Sequence, residues 1–162
     1  MNIDSVNTVN SGIDLNKARK ALIMLHGRGD SAANFIQISN MLELSGFSIV
    51  AIQADMNTWY PYSFMENVEN NQPYLDNSLG YIQKVVNHLS NNGFEANQIY
   101  FLGFSQGACL SLEYTARNAK KYGGVIAFTG GLIGKELDLG NYKGNFEGAN
   151  IFIGSSDKDP HV

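Results

Sequence analysis

The fragment GFSQG, residues 103–107, carries a serine with a glycine two places away on either side, and it directly follows the apolar run QIYFLGF. A serine hydroxyl becomes a nucleophile only when a base takes its proton and donors await the negative charge that forms on the attacked carbonyl. A tight strand-to-helix turn supplies part of that: it exposes the hydroxyl over the sheet edge and leaves the backbone N–H of Gln106 facing the same space. Gly103 and Gly107 would let strand and helix pack closely there. Ser105 is therefore the candidate nucleophile and Gln106 a candidate oxyanion donor. A second fragment, LHGRGD, follows the run ALIMLH at 21–26. A His-Gly-x-Gly turn can fold its amides toward the same oxygen, so the N–H of Arg28 is the second candidate donor, each donor contributing roughly 3 kcal/mol to the transition state. A plain glycine turn would have the same spelling. His26 reads as a residue orienting this loop rather than as a base, and the Arg28 side chain either meets an anionic group or is simply solvated. A third fragment, IFIGSSDKDPHV at 151–162, runs from strand into an acidic turn, where Asp157 and Asp159 each qualify as the acid that holds a histidine.

The elements that must position these groups are short apolar runs separated by helical patterns, the signature of a parallel sheet. Strands are expected at 21–26, 47–53, 98–104, 123–130 and 149–157, with residues 5–12 pairing as an antiparallel edge. Asp30 or Ser31 caps a helix expected to run to about Ser45, with Gly46 as its stop. A second helix spans Asp76 to Leu89, where Leu79, Ile82, Val85, Val86 and Leu89 share one face. A third is expected from Gly107 to Tyr122, with Lys120 and Lys121 at the negative end of its dipole. Phe104, inside the turn, is expected in the core.

These three fragments, in this order and on these strands, resemble the phospholipase/carboxylesterase family of α/β-hydrolases, from about Lys20 to the end of the chain. The resemblance implies an α/β-hydrolase domain over 1–162, a mostly parallel sheet with helices on both faces, lacking the last strand and helix of the family fold. It implies Ser105 as nucleophile, Asp159 as the triad acid with Asp157 second, and hydrolysis of carboxylic esters or thioesters without metal or cofactor. In NTWYPYSF, residues 57–64, it points to Trp59 and Tyr60 as substrate contacts, although an aromatic cluster is as often core packing. The family's general-base histidine lies on a loop well beyond the acid, and no residue of this chain fills that role: His161 adjoins Asp159, His88 falls within a helix, and His26 belongs to the oxyanion loop. The expectation is a chain truncated at its C-terminus; the alternative is a noncatalytic ligand-binding or interaction protein on the same fold.

Composition agrees. A length of 162 residues with 44% hydrophobic content suits one core. A net charge of −4 with 16% charged residues gives no footprint for nucleic acid or anionic lipid, so the expected partner is a small molecule, with a homodimer left open. There is no apolar segment of signal-peptide or membrane-spanning type, and the single Cys109 has no partner for a disulfide or a zinc site, so a cytoplasmic protein is expected. Cys109 itself reads as a small buried hydrophobe.

Overall fold

The structure, a computed structural model, describes Ile3 and residues 5–157. The strands are β1 (Thr8–Gly12), β2 (Lys20–Leu25), β3 (Phe47–Ile52), β4 (Ile99–Phe104), β5 (Asn118–Ala119), β6 (Gly124–Phe128), β7 (Lys143–Gly144) and β8 (Ile151–Gly154), and the helices are α1 (Ala32–Phe35), α2 (Tyr74–Asn91) and α3 (Gln106–Arg117). Six strands form one sheet in the order β1-β3-β2-β4-β6-β8. The β1 strand is the expected antiparallel edge, pairing Thr8 with Ile52, and every other pair is parallel.

Because successive side chains point to opposite faces of a strand, each central strand feeds two cores. Ile23, Leu25, Val50, Ile52, Phe101 and Val125 face α2 and α3, where Leu75, Ile82, Val85, Leu89, Ala108 and Leu112 meet them. Leu22, Met24, Ile49, Ala51 and Leu102 face Phe35 and Ile36 on the other side. Each buried Val, Leu, Ile, Met or Phe among them contributes about 1.5–3 kcal/mol through the water it leaves.

Two helices are shorter than their apolar patterns suggest. Ser31 caps α1, accepting a hydrogen bond from the Asn34 N–H at 3.2 Å, but after one turn the chain tightens into a 3₁₀ stretch over Ile36–Met41. There the Ser39 hydroxyl donates to the Ile36 carbonyl and Gln37 reaches back to Ala33, so polar side chains compete for the groups a longer helix would use. The α3 helix ends at Arg117, not at Tyr122: the Asn118 side chain donates to the Tyr114 carbonyl, and Asn118–Ala119 turns away to pair with β7. Lys120 and Lys121 thus lie outside the helix.

Phe104 corrects a further expectation. It is 48% exposed, on the sheet face that α1 only partly covers, with its ring beside Gly27. The strand alternation places it on the same face as Leu102, beyond the reach of the short α1.

Candidate active site

The turn from β4 into α3 puts Ser105 at φ 52°, ψ −118°, a left-handed conformation that costs a residue with a Cβ about 1–3 kcal/mol. The flanking glycines make the turn tight. A Cβ on Gly103 would collide with the Gly107 carbonyl, and one on Gly107 with the Leu25 carbonyl, so both must lack a side chain for α3 to settle against β4 and β2. The Ser105 N–H donates to the Phe128 carbonyl at 2.8 Å, and the Ser105 carbonyl accepts from Ala108 and Cys109. Ser105 is half-buried at the C-terminal edge of the sheet.

Among the described residues, no hydrogen bond uses the backbone N–H of Gln106 or of Arg28. Gln106 opens α3, where the first amides have no intrahelical acceptor, and Arg28 follows β2, the strand next to β4. Neither N–H is committed to another group among the described residues.

The side chains of the same two residues lock the surrounding loops. The Gln106 amide is buried, accepting from the Trp59 N–H at 3.0 Å and donating to the Tyr60 carbonyl at 2.7 Å. The Arg28 guanidinium donates to the Thr58 hydroxyl, the Pro61 carbonyl and the Tyr62 carbonyl at 3.1, 2.9 and 2.7 Å. Arg28 is exposed, and its guanidinium ties these loop groups together at the cavity wall. The sequence offered no signal for these side-chain roles beyond the positions themselves.

His26 supports the other loop. It is fully buried, its Nδ1 is 2.8 Å from the Gly27 carbonyl, and its Nε2 accepts from the Ala54 N–H at 3.1 Å, which fixes the proton on Nδ1. Burial lowers its pKa from 6.5, outweighing the Gly27 carbonyl and Asp30, both of which raise it. A neutral imidazole with both nitrogens engaged is a structural pin, as expected. His88 stands in the last turn of α2, where Asn92 caps its carbonyl.

A cavity of about 600 Å³ opens over Ser105, lined by Tyr60, Tyr62, Phe64, Met65, Cys109 and Thr129 as well as Arg28 and Gln106. Tyr60 reaches it, as the sequence suggested. Trp59, as deeply buried as Tyr60, is not in the lining: its indole N–H donates to the His26 carbonyl at 2.8 Å and its ring packs 5.0 Å from the imidazole, so it buttresses the loop from behind. Burial raises the Cys109 pKa, so the thiol lines the cavity in its neutral form. Phe64 closes the aromatic segment 57–64, whereas Met65 and Thr129 carry no sequence signal, because nothing local marks a loop residue as facing a cavity. Asp157 is exposed in the turn after β8, and both Asp159 and His161 lie outside the described residues. Among the described residues no cluster of His, Cys, Asp and Glu has the makings of a metal site, and no helix is long and apolar enough to cross a membrane.

A parallel sheet with helices on both faces and a strained serine between strand and helix defines the α/β-hydrolase fold. The chain belongs to the phospholipase/carboxylesterase family, whose model matches residues 7–137. It is similar to the crystal structure of a phospholipase/carboxylesterase from Dyadobacter fermentans, with 54% identity and a TM-score of 0.95 over all of this chain and 78% of that one. Acyl-protein thioesterase 1 of Saccharomyces cerevisiae is 29% identical over 90% of this chain and 72% of its own length. An uncharacterised hydrolase of Mycosarcoma maydis is 28% identical over 78% of this chain but 53% of its own. The chain thus spans between about half and four fifths of the length of these relatives.

Proposed function

We propose that this chain carries the nucleophile and oxyanion site of a serine hydrolase that cleaves carboxylic esters or thioesters of small acyl substrates. The observation that supports this reading best is the convergence of a strained Ser105 with two uncommitted backbone N–H groups, those of Arg28 and Gln106, on one cavity. In the reaction, a histidine base removes the Ser105 proton as Oγ bonds to the carbonyl carbon, and the electron pair of the C=O bond moves to oxygen. The two N–H groups hold that oxyanion, and its collapse expels the alcohol or thiol, which takes the proton from the histidine. Water then repeats the sequence on the acyl-enzyme and releases the acid. Asp159 is the acid assigned to orient the base, on the strength of the family pattern. His26 is pinned within its own loop and His88 stands in the last turn of α2, so this reading draws its base from elsewhere. The names of the relatives, carboxylesterase and acyl-protein thioesterase, support both ester and thioester as substrate linkages.

The test is a rapid-quench assay of the full-length protein with an activated short-chain ester. A burst of leaving group matching the enzyme concentration, absent in Ser105→Ala, is expected. Turnover that survives in Ser105→Ala would overturn the assignment, and an inert wild type would leave a ligand-binding role in its place.

A further inference from the structure

Thr129 repeats, one strand further along the sheet, what Ser105 does. The register pairs Phe104 at the end of β4 with Phe128 at the end of β6, so the residues that follow, Ser105 and Thr129, leave the sheet side by side. Both are left-handed, at φ 52° and φ 58°. Both donate their N–H to the last carbonyl of the next strand, Ser105 to Phe128 and Thr129 to Gly154. Both line the same cavity.

A left-handed conformation is unfavourable for any residue with a Cβ and worst for a β-branched one. A turn alone would be served better by glycine. Glycines occupy the next two positions, 130 and 131, yet neither has a left-handed φ, and the strained position holds threonine. Among the described residues nothing hydrogen-bonds to the Thr129 hydroxyl. Strain retained at a cavity wall together with an uncommitted hydroxyl points to a ligand contact.

The sheet order says which part of the ligand. Arg28 follows β2, which lies on one side of β4, and Thr129 follows β6, which lies on the other. Arg28 and Thr129 thus flank Ser105 on opposite sides, so a carbonyl held with its oxygen toward Arg28 and Gln106 has room to direct one substituent toward Thr129. Besides the carbonyl oxygen, the one acceptor that every ester carries is the leaving-group oxygen; in a thioester it is sulfur, a much weaker acceptor.

We propose that Thr129 is a substrate-contacting residue, its hydroxyl donating a hydrogen bond to the leaving-group oxygen and so favouring oxygen esters over thioesters; this rests on the serine hydrolase reading above. The experiment compares kcat/KM of the full-length protein for a phenyl ester and the matched thiophenyl ester of the same short acid, in wild type, Thr129→Val, Thr129→Ser and Thr129→Gly. Removing one hydrogen bond in Thr129→Val is expected to lower ester turnover about tenfold and thioester turnover by less than about threefold. Thr129→Ser should keep the wild-type ratio. Should valine compromise folding, judged by thermal melting, Thr129→Gly removes the hydroxyl while relieving the strain and is expected to show the same ester-selective loss with an unimpaired Tm. Equal losses on both substrates, no loss in Thr129→Val and Thr129→Gly, or failure of Thr129→Ser to preserve the ratio would overturn the proposal. A wild type showing no Ser105-dependent burst would instead overturn the hydrolase reading beneath it.

Discussion

Met24, Leu102, Ile126 and Phe152 stand in line across four strands, paired in register and projecting from the same face of the sheet. Met24 is fully buried and Leu102 nearly so, whereas Phe152 is 55% exposed. The face is covered at β2 and β3, by α1 and its 3₁₀ extension, and open at β6 and β8, where Phe128 and Phe152 meet solvent, as Phe104 does at the end of β4. The candidate chemistry divides along the same line. Ser105 and the two free amides arise from the covered half, β2 and β4, and their neighbours are fixed by buried groups such as His26, Gln106 and Trp59. The acid assigned by family pattern follows β8, on the open half. Preorganised donors and an assembled core therefore occur together, as expected if the oxyanion geometry needs rigid elements behind it.

The sharpest way to break this comparison is to remove its centre. Ser105→Ala should lower kcat by about 10⁴-fold or more in the full-length protein while leaving Tm essentially unchanged, since alanine keeps the Cβ and with it the strained turn. Next in size is Glu113→Ala. Glu113 is buried on α3 and its carboxylate accepts from Arg117, from the Ile133 N–H and from the Tyr142 hydroxyl. Leaving those donors stranded should cost about 3–5 kcal/mol in denaturant unfolding. A third pair of variants measures the two halves directly. Leu102→Ala should cost about 2–5 kcal/mol and Phe152→Ala under about 1 kcal/mol, because the exposed ring leaves little cavity behind. Equal costs would show that the open face is covered in solution.

The smallest effect is a pH dependence. The His26 pKa is depressed in the folded state, so unfolding releases a group that binds a proton more readily. Its contribution is complete above pH 6.5 and is lost as pH falls through the lowered folded value. Tm should therefore drop on acidification from pH 6.5, and His26→Gln should flatten that part of the profile while lowering Tm at neutral pH.

Which of this the sequence announced follows from how local each signal is. The strands, the antiparallel β1 edge and the turn at Ser105 were legible, because they depend on apolar runs and on glycines that sit beside the residue concerned. The coverage of a face was not. Phe104 looks like any other apolar strand residue, and its exposure depends on where α1 ends, which Ser39 and Gln37 decide through their own hydrogen bonds. Trp59 and Tyr60 are adjacent and similar, yet one buttresses His26 and the other lines the cavity. Glu113 sits among apolar residues of α3, and only the loop returning at Ile133 and Tyr142 explains a buried carboxylate there.

The central claim is that Ser105 is a nucleophile held ready by its turn. Intact-mass measurement of the full-length protein before and after treatment with a fluorophosphonate tests it most directly, with Ser105→Ala beside it. The account predicts a single phosphonyl adduct on the wild type, mapped to Ser105 and absent from the variant. An unlabelled wild type, or an adduct that persists in Ser105→Ala, would contradict it.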